Sequence, residues 1–370
     1  MKKLIHVQVS PKMSGVQQVS FDILRNLSSS YDCSIIFSGP IDNDFRAKFE
    51  REGITVYEMN YLSREISLKD IRSFFEFYSF FRKNKFDIVH TNSTKPGITA
   101  RISAKIAGVK SVVHSVHGVA FHAENSFLKN IFYYSIEFFS SFFGDYIVSV
   151  NKFYLKYYPK ILGRKKNIYN GVDFSLFNPI NRNKSNTSSE VICIAFFARL
   201  DIQKNPLSFI KIVDLLVKKY EVGSNVKFSL AGDGDLLEEC KILIENLGLN
   251  DRINIEGWIN EKKSYLESID ILVQPSLWEA FGLNIVEAAY FGIPCVASNV
   301  EGIPEVIVDG ETGFLCNPND LNEFASRINH LINDENLRLN MGKNANKFVS
   351  HSFSIDNMIK EYEKLYDDLV

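Results

Sequence analysis

The chain alternates between short apolar runs and longer runs of helical periodicity. The short runs predict β-strands and the longer runs predict α-helices. Strands that alternate with helices predict an α/β fold with a helix-covered parallel sheet, because each parallel connection must carry the chain back across the sheet. In the first half, the predicted strands are residues 4–9, 33–37, 54–57, 88–91, 111–116 and 145–150. In the second half, they include residues 191–199, 226–232 and 271–275.

Length and charge divide the chain into two parts. Its 370 residues predict two or three domains. The segment up to Asn178 carries 24 Lys and Arg against 15 Asp and Glu, whereas the remainder carries 18 against 29. The basic first half favours an anionic partner for that half. The polar run 180–190 predicts a solvated linker.

The stretch QPSLWEAFGLNIVEA, residues 274–288, joins a buried strand, a loop and the start of a helix. A helix N-terminus presents unpaired N–H groups and a partial positive charge, which favour a phosphate group. Glu279 lies in the loop before the helix, and Glu287 lies inside the helix, roughly 7 Å along its axis. Two carboxylates that flank an anion site suit a nucleotide sugar, which joins a ribose, a diphosphate and a hexose.

Further motifs follow these two glutamates in register. Phe281-Gly282-Leu283 lies between them, and the runs GIPCVAS (292–298), EGIPEVI (301–307) and GETGFL (310–315) come after them. This pattern resembles the retaining glycosyltransferases of family 4, which have the GT-B fold. The resemblance implies two Rossmann-like domains facing a cleft. It predicts an acceptor-binding domain of residues 1–178, joined by a C-terminal helix, 354–370, that crosses back to it, and a nucleotide-sugar-binding domain of residues 179–353.

The resemblance assigns the donor site to the second domain. Arg199 and Lys204 resemble the family's diphosphate-binding cations, since Arg binds phosphate oxygens by forked hydrogen bonds and Lys acts as a point charge. The run DGD, residues 233–235, follows a strand and resembles a tight nucleotide loop rather than a metal-binding DxD motif. Arg199, Lys204 and Glu279 are the expected catalytic residues of this domain. The expected donor contacts are Gly232, Asp233, Gly234, Trp258, Ile259, Phe281, Gly282, Leu283 and Glu287.

Candidate residues of the first half follow predicted strand ends, where ligands bind in parallel sheets. Ser14-Gly15 resembles the family's glycine-rich first loop, so Gly15 is an expected donor contact. HSVHG resembles the family's histidine-glycine motif, which predicts that His117 contacts the transferred sugar. Lys95 and His117 are the expected acceptor contacts, and His117 is also the expected catalytic residue of this domain. His114 and His122 are less favoured, and a zinc site remains an alternative, although the spacing of these histidines matches no known zinc pattern.

Other motifs and segments that define a protein class are absent from the sequence. It contains neither a G-x-x-x-x-G-K-[ST] run nor a G-x-G-x-x-G run with a downstream acid, which removes support for ATP hydrolysis and dinucleotide binding. Its five scattered cysteines predict free thiols in a reducing compartment. No uncharged apolar run reaches the length of about 18 residues that suggests a transmembrane helix. The N-terminal run lacks a signal-peptide cleavage pattern.

Two aromatic-rich segments, 73–86 and 130–143, allow two interpretations. Each could form a core helix that packs on the sheet, which is the interpretation favoured for either helix alone. Each could instead place its aromatic side chains in a membrane interface. The basic first half favours peripheral, reversible contact with the cytoplasmic face of the inner membrane.

The predicted activity is the transfer of a sugar from a nucleoside diphosphate sugar, with retention of configuration. The resemblance to O-antigen and capsule enzymes suggests a UDP-sugar donor, such as a UDP-N-acetylhexosamine or UDP-galactose, and an acceptor saccharide linked to undecaprenyl diphosphate. Metal independence is expected because the two cations neutralise the leaving diphosphate, and no nucleic-acid partner is expected. The alternatives are a soluble transferase that acts on a polysaccharide or small molecule, and a non-catalytic sugar-nucleotide-binding or epimerase-like protein.

Overall fold

The computed structural model describes residues 1–63, 69–121, 125–158, 164–177 and 191–370, without the side chains of Lys69, Lys95 and Pro96. These residues form two compact units. The first unit contains Met1–Gly171 and Ile355–Val370, and the second contains Val172–Ser354. The predicted domain boundary at residue 178, the predicted linker 180–190 and His122 lie outside the described residues.

The first unit contains a parallel sheet of seven strands in the order β3-β2-β1-β4-β5-β6-β7. The strands are β1 Lys2–Val7, β2 Tyr31–Ser38, β3 Thr55–Met59, β4 Ile88–Asn92, β5 Ser111–Val116, β6 Tyr146–Ser149 and β7 Arg164–Asn167. The six strands predicted from the sequence are present. The additional strand, β7, has the sequence RKKN and lies at the sheet edge. Edge strands accept charged residues, so β7 lacks the apolar pattern that identifies a buried strand.

Helices connect these strands and cover both faces of the sheet. They are α1 Gly15–Asn26, α2 Asn43–Glu50, α3 Lys69–Asn84, α4 Thr94–Ile106 and α5 Phe127–Ser141, with a short 3-10 helix at Phe153–Tyr157. Helix α3 packs on α4, and α4 packs on α5. Right-handed crossovers place these three helices on one face and α1 and α2 on the other. Helix α4 begins at Thr94 and includes Pro96, because proline is tolerated in a first helical turn.

The two aromatic-rich helices pack differently. In α3, Phe77 and Phe81 are buried in a core that also contains Val89 and Val112 of the sheet, as the core interpretation predicts. In α5, the buried side chains are Glu137, Ser140 and Ser141, whereas most aromatic residues are exposed. The core interpretation is therefore wrong for the aromatic face of α5.

The second unit contains a parallel sheet of six strands in the order β10-β9-β8-β11-β12-β13. The strands are β8 Ile192–Phe197, β9 Val226–Ala231, β10 Ile253–Gly257, β11 Ile271–Gln274, β12 Cys295–Ser298 and β13 Gly313–Cys316. The helices are α6 Pro206–Lys218, α7 Leu237–Leu247, α8 Lys262–Ser268, α9 Leu283–Tyr290, α10 Ile303–Val306, α11 Leu321–Asn333 and α12 Glu335–Ser352. Its core joins the sheet residues Phe196, Leu230 and Ile271 to helix residues such as Phe209.

The last helix, α13 Ile355–Asp367, belongs to the first unit and packs against α1, as predicted for a C-terminal helix that crosses back. Its Tyr366 is fully buried, and the phenol oxygen lies 3.0 Å from Nε2 of His6 and 2.6 Å from Nδ1 of His90. Nε2 of His90 lies 2.7 Å from the hydroxyl of Ser115. Helix α13 thereby supplies a hydrogen-bond partner to polar groups of β1 and β4 that have no access to water.

The cysteines are free thiols, as predicted; they are Cys33, Cys193, Cys240, Cys295 and Cys316. Burial raises the pKa of the Cys33 thiol to about 12 and that of Cys240 to about 11, so both remain protonated at neutral pH. Within the part of the chain that the structure describes, the helices are too short or too polar to cross a membrane.

Candidate functional site

Four neighbouring strands of the second unit carry the predicted donor residues just beyond their C-terminal ends. Trp258 follows β10, Gly232 follows β9, Arg199 follows β8 and Glu279 follows β11. These strands are adjacent in the order β10-β9-β8-β11 and run parallel, so their ends meet at one sheet edge. The strand order reverses between β8 and β11, and ligands of open parallel sheets bind at such a reversal.

The loop after β8 holds two predicted cations in different environments. Nη2 of Arg199 donates to Asp201 at 2.9 Å and to Gln203 at 3.1 Å, and most of the arginine side chain is exposed. The Lys204 side chain is largely buried, and its ammonium donates a hydrogen bond to the carboxylate of Glu279. Asp201 also accepts the Lys204 backbone N–H at 3.0 Å. The structure therefore brings together Lys204 and Glu279, which are 75 residues apart in the sequence.

The predicted glycine loop lies directly against this segment. A Cβ atom at Gly232 would lie 1.8 Å from the carbonyl oxygen of Ala198, and one at Gly234 would lie 2.5 Å from that of Leu200. The Leu200 N–H donates to the carbonyl oxygen of Asp233 at 2.9 Å. Glycine is required here because any side chain would overlap the backbone on either side of Arg199.

The start of α9 is fixed to the same edge. Gly282 precedes the helix with a φ of 87°, in the left-handed region that favours glycine. Phe281 is buried, and Leu283 is the first residue of the helix. The Asn284 amide donates to the carbonyl oxygen of Phe197 at 2.7 Å, which ties the first turn of α9 to the end of β8. Sequence reasoning did not select Asn284; its polar side chain in an otherwise apolar helical turn was the available signal.

Glu287 has a partner that sequence reasoning also missed. Its side chain is largely buried, and its two carboxylate oxygens lie 2.7 and 3.0 Å from Nζ of Lys262 in α8. Lys262 is half exposed at 48%. No local sequence pattern pairs two residues that are 25 positions apart, so this contact was not predicted. The pair fixes the orientation of the Glu287 carboxylate on the helix that begins at the sheet edge.

Trp258 and Ile259 follow Gly257 at the end of β10. Gly257 has a φ of 69°, and its carbonyl oxygen accepts the Gly232 N–H at 2.8 Å. This contact places Trp258 beside the glycine loop. The indole is 64% exposed, which leaves its flat face free to stack on a planar group.

The predicted residues of the first unit also follow strand ends. Gly15 is the first residue of α1, after β1, and Lys95 lies in the first turn of α4, after β4. His117 follows β5, is partly buried, and Nε2 donates to Oδ1 of Asn92 at 2.9 Å. Burial lowers the pKa of His117 to about 4, so its imidazole is neutral at physiological pH. Asn92, which fixes this imidazole, was not selected from the sequence.

His114 has a structural role. It is buried, its Nδ1 lies 2.9 Å from the hydroxyl of Thr91, and its Nε2 lies 3.6 Å from Glu137. Burial and the nearby Arg101 lower the pKa of His114 well below its usual value. Across the described residues, no group of three or more His, Cys, Asp or Glu side chains is arranged to hold a metal ion. The zinc alternative therefore gains no support from these positions.

Comparison with known proteins identifies the family. The model "Glycosyltransferase Family 4" matches residues 13–176, and "Glycosyl transferases group 1" matches residues 177–348. A UDP-Gal:alpha-D-GlcNAc-diphosphoundecaprenol alpha-1,3-galactosyltransferase of Escherichia coli is 32% identical, over 100% of this chain and 97% of that protein. The capsular polysaccharide biosynthesis glycosyltransferase CapM of Staphylococcus aureus is 25% identical, over 99% and 97%.

A solved structure supports the same fold. Anabaena HepE, crystallised in complex with UDP and glucose, has a TM-score of 0.83 and 21% sequence identity, and the match covers 100% of both chains. The chain therefore belongs to the family 4 glycosyltransferases and consists of two Rossmann-like domains of the GT-B type.

Proposed function

We propose that this glycosyltransferase moves a hexose or N-acetylhexosamine from a UDP-sugar to a saccharide linked to undecaprenyl diphosphate, in the synthesis of O-antigen or capsule. The full-length similarity to the E. coli galactosyltransferase supports this acceptor class and makes UDP-galactose the first donor to test. The similarity to CapM supports a role in surface polysaccharide synthesis.

The observation that carries the proposal is the charge arrangement after β8 and β11. Arg199 presents an exposed guanidinium, and Lys204 presents an ammonium that Glu279 holds in place. The first turn of α9 adds unpaired N–H groups at the same edge. A UDP-sugar brings two phosphates, and fixed cations stabilise the negative charge that grows on the diphosphate as the glycosidic bond breaks.

The same arrangement favours a retaining reaction on one face of the sugar. Glu279 is paired with Lys204 and is thereby a weaker nucleophile than a free carboxylate. In the proposed step, the bond from the anomeric carbon to the diphosphate oxygen breaks, and the acceptor oxygen bonds to that carbon from the same side. The acceptor proton passes to an oxygen of the leaving diphosphate, so UDP and the glycoside are the only products.

The other predicted residues receive roles that their environments support. The Glu287 carboxylate, oriented by Lys262, accepts hydrogen bonds from the ribose hydroxyls, and Trp258 lies beside the base. In the first unit, neutral His117 contacts the transferred sugar, while Gly15 and Lys95 belong to the loops that meet the donor phosphates and the acceptor. Metal independence is proposed because Arg199 and Lys204 supply the cationic charge that a metal ion supplies in other transferases.

The test is a UDP-release assay with several UDP- and GDP-sugars, run with a lipid-diphosphate-linked saccharide, with a soluble saccharide or with no acceptor. Release from UDP-galactose or a UDP-N-acetylhexosamine only with the lipid-linked acceptor supports the proposal. Equal release with soluble saccharides favours a transferase of polysaccharides or small molecules, and binding without release favours a non-catalytic protein. Loss of turnover on addition of a chelator would contradict metal independence, and an inverted product anomer would contradict retention.

We also propose that the protein acts at the cytoplasmic face of the inner membrane by peripheral contact. A lipid-linked acceptor is confined to the membrane, so the acceptor-binding unit must approach the bilayer surface. The excess of Lys and Arg up to Asn178 favours contact with anionic lipids.

A further inference from the structure

Helix α5 has an inverted distribution of polar and apolar residues. Its buried side chains are Glu137, Ser140 and Ser141. Most of its exposed side chains are large and apolar, and we call five of them the outer face of α5: Phe127, Leu128, Ile131, Phe132 and Phe139. Phe127 and Leu128 are 77% and 78% exposed. A helix on the surface of a water-soluble unit normally buries its apolar side and exposes its polar side, so the outer face requires a specific explanation.

The buried side of α5 shows why the helix cannot turn its aromatic residues inward. Arg101 of α4 is fully buried, and its Nη2 donates to Glu137 at 3.1 Å and to Ser140 at 2.8 Å. Nε of Arg101 donates to the carbonyl oxygen of Gly97 at 2.5 Å. Rotation of α5 about its axis would remove Glu137 and leave a buried guanidinium without its counter-charge, which is strongly unfavourable. The ion pair therefore fixes the outer face toward the surroundings.

The charges around the outer face suit an anionic surface. Helix α5 is described along its full length, and its single acidic residue, Glu137, is buried. Lys129 is exposed in the first turn. Lys156 of the 3-10 helix Phe153–Tyr157 lies 5.0 Å from the ring centre of Tyr157. The surface thus combines apolar side chains with cations and has no exposed acid on the helix.

Aromatic contacts connect this surface to the sheet edge of the first unit that carries His117, a predicted acceptor contact. The rings of Tyr157 and Phe121 lie 4.9 Å apart, and those of Phe121 and Tyr134 of α5 lie 5.5 Å apart. Phe121 follows His117 in the connection from β5 to α5. Because α5 follows β5, its first turn starts at the edge where β5 ends. Phe127 and Leu128, the most exposed residues of the outer face, lie in that turn.

We propose that the outer face of α5 docks on the surface of an anionic lipid bilayer, with Phe127, Leu128, Ile131 and Phe132 in the interface and Lys129 on the phosphate groups. The helix lies in the plane of the membrane, since its 15 residues are fewer than a span needs. This inference rests on the proposed function in one respect: docking there brings the head group of a lipid-linked acceptor to the edge that carries His117.

Flotation with vesicles tests the docking surface. The full chain is expected to float with vesicles of phosphatidylcholine and phosphatidylglycerol, and less with phosphatidylcholine alone. The double variant Phe127→Ser/Phe132→Ser should bind the mixed vesicles on the order of a hundredfold more weakly, at about tenfold per phenylalanine. Lys129→Gln should weaken binding about fivefold, and only to the anionic vesicles.

A matched pair of variants separates this surface from general surface hydrophobicity. Ile131→Ser removes an outer-face side chain that is 47% exposed, and Ile242→Ser removes a 57% exposed side chain of α7 in the second unit. Only Ile131→Ser should weaken flotation. Equal loss in both variants, full flotation of the double variant, or no flotation of the unaltered chain would overturn the proposal.

Two further measurements distinguish failure of the docking proposal from failure of the proposed function. Sedimentation without vesicles tests a second copy of the chain as the occupant: a dimer that the α5 substitutions dissociate, with flotation unchanged, would overturn bilayer docking. UDP release with a water-soluble, short-chain diphosphate-linked acceptor should be the same in the double variant and the unaltered chain, which shows an intact fold. Flotation that depends on α5 without UDP release from any donor would retain the docking surface and reject the proposed function.

Discussion

Substitution of Gly232 by alanine tests the close contact between the glycine loop and the end of β8. The backbone at Gly232 has a φ of 143°, a conformation that costs other residues about 1–3 kcal/mol. The new Cβ would lie 1.8 Å from the carbonyl oxygen of Ala198. The backbone shift that relieves such an overlap costs a further amount of about 1–3 kcal/mol. Together these terms predict a loss of about 4 kcal/mol in the free energy of unfolding.

The assay is scanning calorimetry combined with titration of UDP. A loss of about 4 kcal/mol corresponds to a fall in Tm of about 10 °C for a unit of this size. The overlap must also displace the backbone next to Arg199, so binding of UDP should weaken on the order of tenfold, as for loss of one charge-assisted hydrogen bond. Gly234→Ala, which would meet the carbonyl oxygen of Leu200 at 2.5 Å, should behave similarly.

Gly248→Ala is the matched control. Gly248 ends α7 with a φ of 69°, and a Cβ there would meet no atom within 4 Å. This variant carries only the left-handed strain, about 1–2 kcal/mol, and should lower Tm by about 4 °C without any change in UDP binding. The reasoning is refuted if Gly232→Ala and Gly248→Ala have the same Tm, or if Gly232→Ala binds UDP as tightly as the unaltered chain.

Three other predictions concern single side chains. Arg199→Ala should lower kcat by roughly 10²–10³-fold in the UDP-release assay, because the leaving diphosphate loses a preorganised donor; near-normal turnover would exclude this role. Lys262→Met should weaken UDP binding about threefold, because the charge of Glu287 then has no counter-charge. Unchanged UDP binding curves would show that the Lys262–Glu287 pair takes no part in nucleotide binding. The pKa of His117 is lowered to about 4 and that of His6 to about 3, so the unfolded chain binds protons at these positions first and the protein becomes less stable as pH falls below about 6.5. His117→Asn should reduce the loss of Tm between pH 7 and pH 5. An unchanged loss would contradict the lowered pKa of His117.

The sequence predicted the helices and strands that have a strong apolar periodicity. It did not predict features that depend on contacts with distant parts of the chain. Buried strands such as β8 and β11 are mainly apolar on both faces, so a short segment of sequence is enough to identify them. Strand β7 is polar because it lies at an edge, and its pairing with β6 depends on the rest of the sheet. The orientation of α5 depends on Arg101, a residue of another helix, and the aromatic content of α5 alone points to the opposite packing.

The candidate site divides in the same way. Residues within continuous motifs, such as Glu279 and Gly282, were selected because their spacing is a property of one segment. Lys262, Asn92 and Asn284 were not selected, because each acts through a contact with a distant segment: Glu287, His117 and Phe197, respectively. Such partners become visible only when the fold brings the segments together.

The contact of Tyr366 with His6 and His90 has a consequence for the order of assembly during translation. Both imidazoles belong to strands that the ribosome makes early, whereas their shared phenol is made after the entire second unit. We expect the nascent first sheet to retain unsatisfied polar groups on this face until helix α13 has been made. The first unit therefore matures after the second, although domains made first usually fold first.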